Sequence, residues 1–125
     1  MSFSTLEFSI DHGIARIALN RPESANTISV ELAEELLQAA IRCDGNPAVR
    51  AVILTGKGRF FSGGGDVQSF AAAADGAGEL LRRITAPLHA AISRFARMDA
   101  PLVTAVNGTA AGAGFSLAIA GDEIG

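Results

Sequence analysis

An α/β domain is the fold class that these 125 residues predict, and three observations carry it. Short apolar runs of strand character alternate with stretches of helical period in the order β-β-α-β-loop-α-β-α-β. Two of those runs, "AVILTG" and "LVTAV", sit between turn residues, as strands covered on both faces do. The 49% hydrophobic content rests on Ala and Gly, with seven Phe and no Trp or Tyr, which suits closely approaching helices and strands. One domain is expected, burying roughly two-thirds of the surface that the unfolded chain exposes.

"LEFSIDHGIARIALN" alternates on both sides of "DHG" and predicts antiparallel strands at Leu6–Ile10 and Ile14–Leu19, joined at Asp11-His12-Gly13. His12 is then an exposed turn residue. "NRPESANTIS" is rich in turn residues, and Ser29 is placed to cap the helix "VELAEELLQAAIRCDG". Leu32, Leu36, Leu37, Ala40 and Ile41 form its expected buried stripe, and Gly45 ends it. Val49–Leu54 follows as a buried strand. After "RFFSGGGDVQSF", the low-complexity "AAAADGAG" predicts a mobile or frayed stretch. From Glu79, the positions of Leu80, Leu81, Ile84, Leu88, Ala91, Ile92 and Phe95 have helical period, with Pro87 kinking the helix or dividing it. His89 on this helix is expected to be partly buried. "PLVTAV" is a further strand, Asn107-Gly108 a turn, "TAAGAGFSLAIAGD" an Ala/Gly helix, and "DEIG" the start of another strand.

Composition excludes several classes of function. The formal net charge is -3 and the ten Lys and Arg are scattered, which argues against nucleic-acid binding. Cys43, the single cysteine, reads as a buried structural thiol and leaves no disulfide or cysteine-based zinc site. No metal site is expected. The acidic, alternating N-terminus is unlike a signal peptide, and no run reaches the ~18 apolar residues of a membrane span. A cytoplasmic protein is the expectation.

Chemistry is concentrated in two segments of one design, a buried strand leading into a small-residue turn ("GGGD", "AAGAG") and then a helix. A helix start leaves backbone N–H groups unpaired and partly positive, so two such turns can offer donors to an anion or a developing oxyanion. Neither has the Lys-Ser/Thr pair of a phosphate-binding loop. "GAGFSL" lacks the last glycine of a dinucleotide fingerprint. In "GFSLA", Ser116 lies too far beyond its strand to be the nucleophile of a hydrolase elbow.

In order and spacing, "LNRPESANTIS", "GRFFSGGGDV" and "PLVTAVNGTAAGAGFSLAIAGD" resemble the enoyl-CoA hydratase/isomerase (crotonase) family, spanning Leu19 to Asp122. The resemblance implies a crotonase-like spiral of β-β-α units within a single acyl-CoA-binding domain over 1–125. It implies an acyl-CoA thioester whose enolate is held by the backbone N–H groups of Gly65 and Ala113. Contacts to the substrate are implied at Glu23, Ala25, Gly63, Gly64, Gly65, Asp66, Val67, Thr109, Gly112, Ala113 and Ser116. Arg21, Lys57 and Arg59 are candidate cations for the CoA phosphates or else solvated surface charges. No cofactor is implied beyond coenzyme A as part of the substrate.

Hydratases of the family carry a catalytic glutamate three residues after the second donor, where this chain has Ser116. Serine cannot act as a carboxylate base, so isomerisation is expected over hydration. The alternative is a catalytically silent CoA-binding or interaction module. Asp66 and Asp122 are not expected to be the base. By resemblance the chain is the N-terminal core part of the domain, with a later carboxylate expected beyond Gly125 and a homo-trimer or hexamer expected of the whole.

Overall fold

The computed structural model describes residues 3–124. The first hairpin pairs β1 (Leu6–Asp11) with β2 (Ile14–Leu19) from Leu6↔Leu19 to Asp11↔Ile14, one residue further than the sequence pattern indicates. His12 and Gly13 both have positive φ, 51° and 81°, the two-residue turn whose twist matches the strands. His12 is exposed, as expected.

Helix α1 (Val30–Cys43) begins where expected, with the Ser29 hydroxyl accepting from the Leu32 amide at 3.1 Å. Its buried face is Leu32, Ala33, Leu36, Ala39, Ala40 and Cys43. Leu37 is only half-buried and Ile41 is 42% exposed, so the expected stripe is rotated toward the alanines. Small side chains on that face suit the close approach of α3 (Ala77–Arg97), the helix α1 packs against most extensively.

Strand β3 (Ala51–Gly56) starts two residues later than expected, because Val49 turns back to bond the Asn46 carbonyl. Val52, Leu54 and Gly56 are buried while Ala51, Ile53 and Thr55 are half-buried, so one face is sealed and the other only partly covered. With β5 (Leu102–Thr104) and β7 (Glu123–Ile124) it completes a sheet of order β1-β2-β3-β5-β7, parallel beyond the first hairpin.

The "AAAADGAG" stretch is not frayed: it forms the end of α2 (Val67–Ala73), one 3-10 turn and the start of α3. Alanine is the best helix former, which favours this local structure without tertiary support. Helix α3 runs through Pro87 undivided and buries Ile84, Leu88, Ala91 and Phe95. His89 lies off that stripe and is exposed, contrary to expectation, as is Leu81.

Two short strands escape the sequence pattern. Phe60–Ser62 is β4 and Thr109–Ala110 is β6, and they pair in parallel as a second, two-stranded sheet. The expected helix from Thr109 is therefore only α4 (Ala113–Ala118).

Candidate functional site

The pairing of β4 with β6 brings the two glycine loops together. Phe60 lies opposite Thr109 and Ser62 opposite Ala110, so the residues that follow, 63–65 and 111–113, emerge side by side. Glycine is needed where they meet. A Cβ on Gly64, whose φ is +94°, would lie 2.8 Å from the Ala111 carbonyl oxygen and 3.7 Å from the Ala113 nitrogen. A Cβ on Gly114 would strike Ser62.

Peptide planarity fixes where the amides point. The Gly64 carbonyl accepts from the Ile28 amide at 2.7 Å, and no peptide bond is cis among the described residues. In a trans peptide the N–H is antiparallel to the C=O, so the Gly65 N–H points away from Ile28. Its neighbours are engaged: Gly63 donates to the Ala25 carbonyl at 2.8 Å and Gly64 to the Ser62 hydroxyl at 3.3 Å. The Gly112 carbonyl accepts from Phe115 and Ser116, which turns the Ala113 N–H out of the start of α4. Neither the Gly65 nor the Ala113 amide meets an acceptor among the described residues.

Beside this junction lies a cavity of about 330 Å³. Of the residues singled out from the sequence, it is lined by Glu23, Ala25, Gly63, Gly65, Asp66 and Val67. Ser24, Thr27 and Gln68 also line it, unanticipated because nothing in their local pattern sets them apart. Gly64, Thr109, Gly112, Ala113 and Ser116 do not line it. Gly64 is buried beneath, Gly112 stands on the adjoining loop, Ala113 opens α4, Ser116 is exposed on α4, and Thr109 is exposed on β6. A larger hollow, about 450 Å³, lies on the partly covered sheet face by Arg16, Ile53 and Thr55, lined by neither loop.

The charged groups have specific partners. Asp66 caps α2, accepting from the Ser69 hydroxyl at 2.9 Å and the Ser69 amide at 3.3 Å. The Ser69 hydroxyl first, then the Ser69 amide and nearby Arg21, outweigh partial burial and hold its carboxyl below the usual range. Asp122 accepts from the Leu102 amide at 2.9 Å and joins β5 to the start of β7. Both carboxylates thus accept hydrogen bonds from the main chain. Lys57 pairs with Glu7 at 2.9 Å, while Arg59 is exposed. Arg21 is turned inward: its guanidinium donates to the Thr27 carbonyl and, at 3.2 Å, to the Thr27 hydroxyl, and lies 3.7 Å from Asp66.

Asn26 and Ser62, both fully buried, support these loops and were not distinguished by sequence. The Asn26 side chain accepts from the Arg21 amide at 2.7 Å and donates to the Lys57 and Phe60 carbonyls at 2.9 Å each. Its own carbonyl accepts from the Ser62 hydroxyl at 2.9 Å. Asn at a left-handed position, φ 52°, was the available sign, hidden in a loop already rich in turn residues.

Comparison with known proteins bears on this arrangement. The sequence model of one family, Enoyl-CoA hydratase/isomerase, matches residues 9–124. A Rhodobacter capsulatus protein named "Probable enoyl-CoA hydratase" is 40% identical over 124 residues, covering 99% of this chain and 46% of its own. The 1,2-epoxyphenylacetyl-CoA isomerase of Escherichia coli is 34% identical over 126 residues, with 95% and 47% covered. A solved Pseudomonas aeruginosa structure superposes with a TM-score of 0.89 at 37% identity, over 99% of this chain and 53% of that one. The chain spans about half the length of the curated relatives it matches.

Proposed function

The chain belongs to the enoyl-CoA hydratase/isomerase family, and from that premise we propose that its paired glycine loops bind an acyl-CoA thioester and stabilise its enolate. The observation that carries this reading is the pair of unengaged amides, Gly65 and Ala113, on loops that touch at Gly64. Removing a proton α to a thioester places negative charge on the carbonyl oxygen. Fixed N–H donors aimed at that oxygen lower the barrier by about 3 to 4 kcal/mol each. Glycine suits the first donor because a thioester must approach the main chain itself, and alanine serves at the second because only its amide is used.

The cavity alongside, walled by Glu23, Ala25, Asp66 and Val67, is the place for the CoA portion. Within this reading double-bond or ring isomerisation is favoured over hydration, because Ser116 occupies the position of the family's first glutamate and cannot activate water as a carboxylate would. The relatives include both a hydratase and an isomerase by name, so the family alone does not choose. Asp66 and Asp122 are both held in structural bonds, which favours binding without turnover as the second reading.

The test is to mix the chain with coenzyme A and trans-2-enoyl-CoA, measure binding by calorimetry, and follow water addition and double-bond migration separately. Binding with migration supports the first reading, and binding without turnover the second. No binding removes the thioester reading altogether. Water addition that is lost in Ser116→Ala would reverse the preference for isomerisation.

A further inference from the structure

The cavity has two walls that are remote in sequence, residues 23–27 and residues 63–68, and the Arg21 guanidinium reaches across them. On one side it donates to the carbonyl and hydroxyl of Thr27. On the other it lies 3.7 Å from the carboxylate of Asp66, the residue that follows Gly65 and caps α2. Its side chain is 19% exposed and that of Asp66 20%, so the pair is largely withdrawn from solvent. The same walls are cross-linked by backbone bonds from Gly63 to Ala25 and from Ile28 to Gly64. The second of these fixes the peptide plane that aims the Gly65 N–H.

We propose that Arg21 is a positioning residue, a clamp that holds the 63–66 loop against the 25–28 loop and so sets the direction of the Gly65 amide. The clamp stands in place of both expectations for Arg21, a CoA phosphate contact or a solvated surface charge: one guanidinium nitrogen donates to Thr27 and the other faces Asp66. A planar guanidinium can serve acceptors on two sides at once, whereas the compact ammonium of lysine keeps the charge without that span. What the amide is used for rests on the thioester reading; the clamp does not.

Amide hydrogen exchange of the 125-residue chain, read residue by residue by NMR, tests it with Arg21→Lys. Exchange at Ile28 and Gly63 should quicken by about tenfold or more, while Val52 and Ala105, bonded to Pro101 and Leu54 in the main sheet, keep their rates. Asp66→Asn should quicken exchange at the same two amides, and the double variant should quicken it by less than the sum of the two. Unchanged exchange at Ile28 and Gly63 would overturn the clamp. So would equal acceleration at Val52 and Ala105, which would mean a general loss of stability. Unchanged exchange together with weakened coenzyme A binding would make Arg21 a phosphate contact after all. If the unsubstituted chain binds no coenzyme A, the thioester reading fails while the exchange rates still decide the clamp.

Discussion

Gly63 and Gly64 are adjacent and chemically identical, yet the fold tolerates change at only one of them. A Cβ on Gly63 would sit 3.4 Å from Ala25, an ordinary contact, whereas on Gly64 it would meet the Ala111 carbonyl at a backbone angle that L-residues avoid. Gly63→Ala should therefore move stability by no more than about 1 kcal/mol in either direction. Gly64→Ala should cost about 1 to 3 kcal/mol and weaken coenzyme A binding, as urea denaturation and calorimetry would show. Cys43 is 2% exposed, and burial pushes its thiol up to about 11. An unfolded thiol ionises near ~8.5, so the stabilisation from keeping it neutral is complete below that pH and is lost as pH rises toward the folded value. Folded protein at about pH 7.5 should resist alkylation that goes to completion in denaturant. The glycine cluster was legible as a special place, but its composition does not say which glycine is irreplaceable. That depends on a carbonyl nearly fifty residues away in the chain.

At the scale of elements, strands and helices follow from local periodicity where their partners reinforce it. Helix α1 shows this at both ends of its function, capped by Ser29 and offering Glu35 to the chain before β1. The Glu35 carboxylate accepts from the amides and hydroxyls of Ser4 and Thr5, at 2.7 to 3.1 Å. Burial works to raise its pKa, but these hydrogen bonds together outweigh it and the carboxyl is held below its ordinary value. Its folded pKa is depressed, so its contribution is present above the unfolded pKa of ~4.3 and disappears as pH falls through the lower folded value. Glu35→Gln should cost about 1 kcal/mol at neutral pH, and the difference from wild type should shrink on acidification, as denaturation midpoints across pH would reveal. Strands β4 and β6 could not be found this way, because each sits directly against a small-residue turn with no longer apolar run around it to mark a strand.

Over the whole molecule, a hairpin and parallel crossovers build one sheet, and a second small sheet places the loops. Asn26 stands where these parts join, tying its own loop to the segment between β3 and β4 and, through Ser62, to the glycine loop. Asn26→Ala would leave the Arg21 amide and the Lys57 carbonyl without this partner and remove one of the two side-chain donors to the Phe60 carbonyl, and should cost about 2 to 4 kcal/mol, lowering the urea midpoint and loosening the site together. The α/β class was legible in the sequence through apolar alternation, and the family with its crotonase-like fold through three motifs that resemble it in order and spacing, since both signals are carried by neighbours along the chain. Which amides are left free, which arginine is turned inward and which glycines meet were decided only by tertiary structure. Those properties depend on hydrogen bonds between segments tens of residues apart, and a residue's local pattern holds no record of the partner that folding will bring to it.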